Sequence, residues 1–329
     1  MLRFILRRLL ASVPVFLGIS ILTFGILHLA PGEPAGIGMD LNAKAADISK
    51  QLRAEYGLDR PLHVQYLDWM RRLVTLDFGP SMSMDRRPVI DKIAEALPIT
   101  LLLNGLEIFL MFGIAVPLGV ISALKPGGRL DRGITALSLL LYAAPEFWIA
   151  LLLMLLLSVQ LGWLPLSGLG NAWFDPTLSW PERLIATTPY LVIPMITMAS
   201  GSVARLSRYV RASMVDVLQS DYLRTARAKG LPWRLRMTRH ALRNGMMPLI
   251  TLLGLMLPGL IGGSVILESV FAIPGMGRLF WGAVMQRDYT LLMAILSLAS
   301  ILTLAGAILA DILYAAVDPR IRERFTQQS

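Results

Sequence analysis

Proton transfer, nucleophilic attack and metal ligation near neutral pH draw on a short list of side chains, and this 329-residue sequence is poor in them. It has no cysteine, which excludes disulfides, thiolate metal sites and thiol catalysis and leaves the redox compartment undetermined. Its histidines, His28, His63 and His240, fall in three separate segments: the end of an apolar stretch, a polar segment and a basic one. They are not expected to converge on a metal or a triad. No Gly-x4-Gly-Lys-Ser/Thr loop is present to cradle a nucleotide phosphate. What remains is four acids in or near apolar stretches, Glu107, Glu146, Glu268 and Asp311, and one dense run of bases. A charge at mid-bilayer costs about 2.5–3.5 kcal/mol on insertion scales, so each acid is expected to face a helix bundle or sit near an interface. Glu268 and Asp311 read as span ends. Glu107 and Glu146 read as a polar interior, the latter following Pro145 in "AAPEFW", where a broken helix would open backbone and carboxylate to a cavity.

The basic run, "RTARAKGLPWRLRMTRHALRN" (residues 224–244), holds seven Lys and Arg and no acid. It reads as two amphipathic helical pieces joined at Gly230, Leu231 and Pro232, because Gly accepts a left-handed cap and Pro cannot continue the preceding helix. Such a loop could serve only to fix membrane topology. Against that stand its length, its helical patterning and the small residues Ala226 and Ala228 around Gly230, which would let a partner approach closely. Docking is the expected role.

The elements that must position these residues follow from hydropathy. With 55% hydrophobic residues, 16% charged residues and a mean hydropathy of +0.61, the chain carries several apolar stretches near the roughly 20 residues that cross a bilayer as a helix. The pattern predicts an all-α polytopic membrane protein of about six transmembrane helices, near residues 9–30, 99–124, 133–161, 189–204, 245–267 and 291–317. The expected organisation is residues 1–30 as a basic start and first span, 31–98 as an external region, 99–317 as a five-helix core that includes a loop at 205–244, and 318–329 as a tail. The apolar run of the first span is too long for a signal peptide, so a retained anchor is expected. The span at 245–267 is interrupted by Pro248, Gly254, Pro258, Gly259, Gly262 and Gly263. Lipid cannot satisfy backbone groups freed by such breaks, so close helix packing and the lining of a solute pathway are both open for Pro258, Gly259, Gly262 and Gly263.

Orientation follows from the basic residues, which favour the cytoplasmic face in short loops. With the N-terminus inside, 19 of the 31 Lys and Arg fall in cytoplasmic segments, and the two short loops of the opposite face hold only Arg183, Arg278 and Arg287. Both termini are expected inside and the basic run in the largest cytoplasmic loop.

Residues Asp221, Tyr222, Leu223, Arg224, Thr225, Ala226, Arg227, Ala228, Lys229, Gly230 and Leu231 resemble the cytoplasmic EAA loop of bacterial ABC importer membrane subunits. Only Ala226 and Gly230 match the generic Glu-Ala-Ala-x3-Gly pattern, and Arg243 stands where that pattern ends in Pro. "YLRTARAKGL" is nonetheless similar to the variant of the peptide and nickel importer branch. So are "LRRLLASVPVFLGISILTFGILHLAPGEP" (6–34), "YGLDRPLHVQYLDW" (56–69), "LDFGPS" (76–81), "ESVFAIPGMGRLFWGAVMQRDY" (268–289) and "DILYAAVDPRIR" (311–322), in that family's order over nearly the whole chain. The resemblance implies a type I ABC importer permease fold in the bacterial inner membrane and no enzymatic activity in this chain. It also implies a homologous second permease subunit, two cytoplasmic ATPase subunits that bind ATP and Mg, and an extracytoplasmic solute-binding protein. No cofactor in this chain and no nucleic-acid partner are implied. The branch handles dipeptides, oligopeptides, glutathione and nickel complexes.

Overall fold

The computed structural model describes residues 2–29, 54, 56–256 and 259–317. Among them the chain is helical, with no β-strand beyond an isolated bridge between Pro80 and Pro88. The principal helices are α1 (Leu2–Leu29), α2 (Leu62–Thr75), α3 (Val89–Leu124), α4 (Arg129–Ala143), α5 (Glu146–Leu153), α6 (Trp180–Leu218), α7 (Asp221–Ala228), α8 (Met276–Gln286) and α9 (Tyr289–Val317). Four segments are single helices long and apolar enough to cross a membrane: Leu6–Leu29, Val89–Leu124, Trp180–Leu218 and Tyr289–Leu309.

The other two expected spans are broken, for reasons visible in their residues. At 133–161, α4 and the helix running from Glu146 to Gln160 meet at an angle of 98°. Pro145 lacks an N–H and forces Ala144 out of the helical region, to ψ 131°, so the helix stops and restarts. At 245–267 the chain forms the short helices Met247–Met256, Gly259–Gly262 and Val265–Val270. Gly263, at φ 61°, sits between the last two in a conformation that L side chains rarely adopt. The expected short span at 189–204 is instead the middle of α6, which runs 39 residues. Its start is set by a capping box, in which the Ser179 backbone N–H and hydroxyl donate to Glu182 Oε2 at 2.8 and 2.7 Å.

The chain divides into two compact units. The first comprises residues 1–101, 256–265 and 274–329. Here α1 packs along α9, and Leu73, Phe78, Val89, Ile93, Met276, Leu291 and Leu292 form a buried core. Asp288, wholly buried, caps α9 by accepting the Leu291 N–H at 3.0 Å. It also accepts the Met82 N–H at 3.0 Å and the Ser81 hydroxyl, which pins the 78–88 loop to the start of α9. Lys92 holds the same loop, donating to Ser81 and Ser83 at 3.0 and 2.7 Å and pairing with Asp85 at 2.8 Å. Its ammonium is the main reason the Asp85 carboxyl is lowered from 3.8 to about 2, with the Ser83 hydroxyl adding to it.

The second unit comprises residues 102–255 and 266–273. Its centre is α6, against which α4 and α5 pack, and Met111, Ala115, Ala199, Val203, Leu206, Val210 and Met214 fill the core. Where α3 meets α6 the backbones touch: a Cβ on Gly119 would lie 2.6 Å from the Ser207 carbonyl and from Val210 Cβ. Small residues permit that approach in the absence of any hydrophobic drive between helices in lipid.

Two outcomes follow. Gly119→Ala should destabilise the purified protein by about 1–3 kcal/mol through overpacking, whereas Gly113→Ala on the same helix, with open space around its Cβ position, should leave the thermal midpoint unchanged. Equal midpoints for both would refute the close approach. Because the folded Asp85 carboxyl is depressed, its pairing stabilises above the unfolded value and is lost as pH falls from 3.8 towards 2. Lys92→Met should flatten the stability profile over that window, as read by thermal unfolding at stepped pH.

Candidate functional site

The segment singled out for docking forms α7, entered through Ser220 and carrying Asp221 in its first turn and Arg227 in its last, both favourable to the helix dipole. Leu223 and Ala226, three residues apart, are the buried pair of the helix, at 6% and 8% exposure. Asp221, Tyr222, Arg224, Thr225, Arg227, Ala228, Lys229 and Gly230 are exposed, and Leu231 is half-buried. The helix ends in a Schellman motif: the Gly230 N–H reaches the Arg227 carbonyl at 3.0 Å and the Leu231 N–H reaches the Ala226 carbonyl at 3.2 Å. Gly230 takes φ 77°, and a Cβ there would meet nothing within 4 Å. Gly230 is therefore a turn residue. Ala226, expected on the face a partner approaches, faces this chain's own core, because the apolar stripe of so short a helix must be buried for the helix to hold its place.

A second helical run, residues 233–245, widens to a π-helix over Arg236–Leu242 and clamps α7 from behind. Asn244 Nδ2 donates to the Tyr222 hydroxyl at 3.1 Å. Ser213 Oγ of α6 donates to the Gly245 carbonyl at 2.9 Å, and a Cβ on Gly245 would come within 2.5 Å of Met214 Sδ. Leu223 shares the α6 core with Val210 and Met214. Thus α7 is fixed to the end of α6.

One turn further up α6, Arg211 grips Asp131 of α4 with two parallel bonds, Nε to Oδ1 at 2.5 Å and Nη2 to Oδ2 at 2.7 Å. Asp131 is 4% exposed and also accepts the Gly127 N–H at 2.7 Å and the Ser122 hydroxyl. Bidentate pairing with the remaining lone pairs occupied is the condition under which a buried ion pair holds. Sequence reasoning missed this pair; the signal was Asp131 as the one acid in the basic stretch 125–132.

The two acids expected in a polar interior converge on a single turn of α6. Ser202 Oγ donates to Glu107 Oε1 at 2.6 Å, and Arg205 Nη2 donates to Ser202 Oγ at 3.2 Å. Glu146 Oε1 lies over Gly201, where a Cβ would be 3.1 Å from it and 3.8 Å from Arg205 Nη1. Glu107, Glu146 and Arg205 therefore share one electrostatic neighbourhood, with the glycine leaving room for the second carboxylate. Gly201 and Ser202 carry no charge to mark them within the expected span at 189–204, and Arg205 falls at the start of the expected loop at 205–244. Of the remaining pathway candidates, Gly259 and Gly262 belong to the first unit and are exposed with open space around their Cβ positions, Gly263 supplies the left-handed turn, and Pro258 lies outside the described residues.

Residues 1–104 match the family described as binding-protein-dependent transport system membrane component, N-terminal, and residues 115–323 match the binding-protein-dependent transport system inner membrane component. The chain is 43% identical over 318 residues to the oligopeptide transport system permease protein AppB of Bacillus subtilis, covering 97% of this chain and 98% of the relative. It is 34% identical over 339 residues to the dipeptide transport system permease protein DppB of Escherichia coli K12, covering 98% and 100%. A chain of the inward-facing MetNI methionine ABC transporter shares the fold, with a TM-score of 0.53 at 19% identity over 70% of this chain and 97% of that one. An all-helical body, apolar spans and family matches over nearly its full length together show that this chain belongs to the binding-protein-dependent transport system inner membrane components: it is a multi-pass permease subunit of an ABC importer, not an enzyme.

Proposed function

We propose that this permease forms half of a peptide-translocation pathway and is driven by cytoplasmic ATPases that seat on α7. Peptides are the solute class named for the relatives AppB and DppB. A homologous permease subunit, two ATPase subunits carrying ATP and Mg, and an extracytoplasmic binding protein complete the assembly. Both termini and α7 face the cytoplasm in this reading, which the fall of 19 of the 31 Lys and Arg in the four segments assigned to that side supports. The external region, within residues 31–98, contacts the binding protein or gates the outer mouth.

The observation that carries this reading is the anchoring of α7. A short helix that is exposed on one side, stapled by Leu223 and Ala226 on the other and closed by a Schellman turn transmits a push to α6 instead of yielding to it. Along α6 the same push reaches Ser202 and Arg205, beside Glu107 and Glu146. In this reading Tyr222, Thr225, Ala228 and Lys229 meet the ATPase, Leu223 and Ala226 seat the helix from beneath, and Gly230 sets the turn. Within the second unit, the Glu107, Glu146 and Arg205 cluster contributes polar wall to the pathway.

Thr225→Trp should leave the permease folded and paired, because the side chain is exposed and, among the described residues, bonds only to the Asp221 carbonyl at 3.0 Å. It should loosen the ATPases and abolish solute-stimulated hydrolysis; normal ATPase retention and normal stimulation would refute the docking. Gly230→Ala should cost about 1–2 kcal/mol through its left-handed backbone and weaken coupling less. With no cysteine in the chain, Lys229→Cys and Arg183→Cys give single reporters of topology. An impermeant maleimide should label position 183 but not position 229 in intact cells, and labelling of 229 from outside would overturn the orientation.

A further inference from the structure

Behind α7 lies a cavity of about 290 Å³, bounded by Leu124 at the end of α3, Leu218 at the end of α6, and Arg224, Arg227, Trp233 and Arg236. The rest of its wall is apolar apart from Gln219, and no acid lines it. Arg224 is weakly engaged, 3.5 Å from a highly exposed Asp221. No carboxylate among the described residues pairs with Arg227 or Arg236. The Arg236 guanidinium lies over the Trp233 ring at 5.8 Å, and its Nε is shut from solvent without a hydrogen-bond acceptor. A buried guanidinium nitrogen left unsatisfied is costly, and here it sits where the helical run widens to π geometry at Arg236.

Three guanidiniums around one chamber call for an anion, and Arg forks match phosphate oxygens in particular. The walls say which anion. One side is the end of an apolar span, where Leu124 is 42% exposed, and Trp233, also in the wall, is half exposed. The exposed end of an apolar span beside an indole and a basic cluster marks the level of a membrane interface, where a phosphate arrives attached to acyl chains. The chamber has room for several waters, more than a lone phosphate fills. We propose that this cavity binds the headgroup phosphate of an anionic phospholipid, such as phosphatidylglycerol, and that the bound lipid supplies the acceptor Arg236 lacks.

The test uses the complete transporter purified in nanodiscs of phosphatidylcholine alone or mixed with phosphatidylglycerol, with retained lipid read by native mass spectrometry. Wild type should retain phosphatidylglycerol in preference to phosphatidylcholine. Arg227→Gln and Arg236→Gln should each weaken that retention about five-fold. Arg236→Lys should restore part of it, and Arg239→Gln, outside the cavity, should change nothing. If Arg236→Gln lowers the thermal midpoint, the exposed Arg227 carries the comparison. Equal retention by wild type and Arg227→Gln overturns the proposal, and so does displacement of the lipid by inorganic phosphate, which would make a free anion the ligand. ATPase subunits are counted in the same spectra, so loss of lipid and loss of docking are read separately.

Discussion

A backbone or side-chain polar group inside lipid must find its partner in protein, because no water is there to take it. This constraint shapes the second unit. A charge in an apolar span costs about 2.5–3.5 kcal/mol, and a hydrogen bond to a charged group returns about 1.5–3 kcal/mol. One good partner therefore nearly offsets one misplaced acid. Glu107 takes Ser202 as that partner, and Arg205 closes the chain on the far side of the hydroxyl. Asp131 takes Arg211, Ser122 and Gly127 together. Both acids are satisfied by α6, so α6 cannot rotate or slide without exposing one of them.

This dependence makes α6 the element to which the rest of the second unit is tied. At 1.5 Å per residue its 39 residues extend roughly 58 Å. Its last two turns carry the Leu223 and Gly245 attachments and the Arg211 grip, and the Ser202 turn, near its middle, carries the acid cluster. The Gly119 contact prevents slack between α3 and α6, since the backbones already touch there.

Much of this was legible in the residues. Apolar runs revealed the helical membrane class, Pro145 marked the break between α4 and α5, and Gly230 with Pro232 marked the end of α7. Glu107 and Glu146 were recognisable as acids in the wrong solvent. Their convergence was not, because pairing between α3, α5 and α6 is a matter of helix rotation, which periodicity does not set when a span is apolar on every side. Arg205 was not legible as a neighbour of the two acids for a related reason: as the first base of the segment 205–244 it reads as part of a loop, whereas it lies one turn beyond Ser202 on a helix that continues to Leu218. Ala226 shows a third limit. Small residues serve equally for approach by a partner and for close packing within the chain, and only the position of Leu223 one turn earlier indicates the inward face.

The two faces of the basic loop also resolve a tension in its composition. Seven bases with no acid between residues 224 and 244 repel one another, and a helix of eight residues has little intrinsic stability with which to resist. Burial of Leu223 and Ala226 supplies some resistance, but Arg224, Arg227 and Arg236 still crowd around one chamber. An anion held among them would convert that repulsion into attraction and stiffen the joint between α7 and α6. The outward residues Thr225, Ala228 and Lys229 would then be presented to an ATPase from a rigid base. On the docking reading, charge that looks excessive for fixing topology would be divided between orienting the chain and completing the seat of α7.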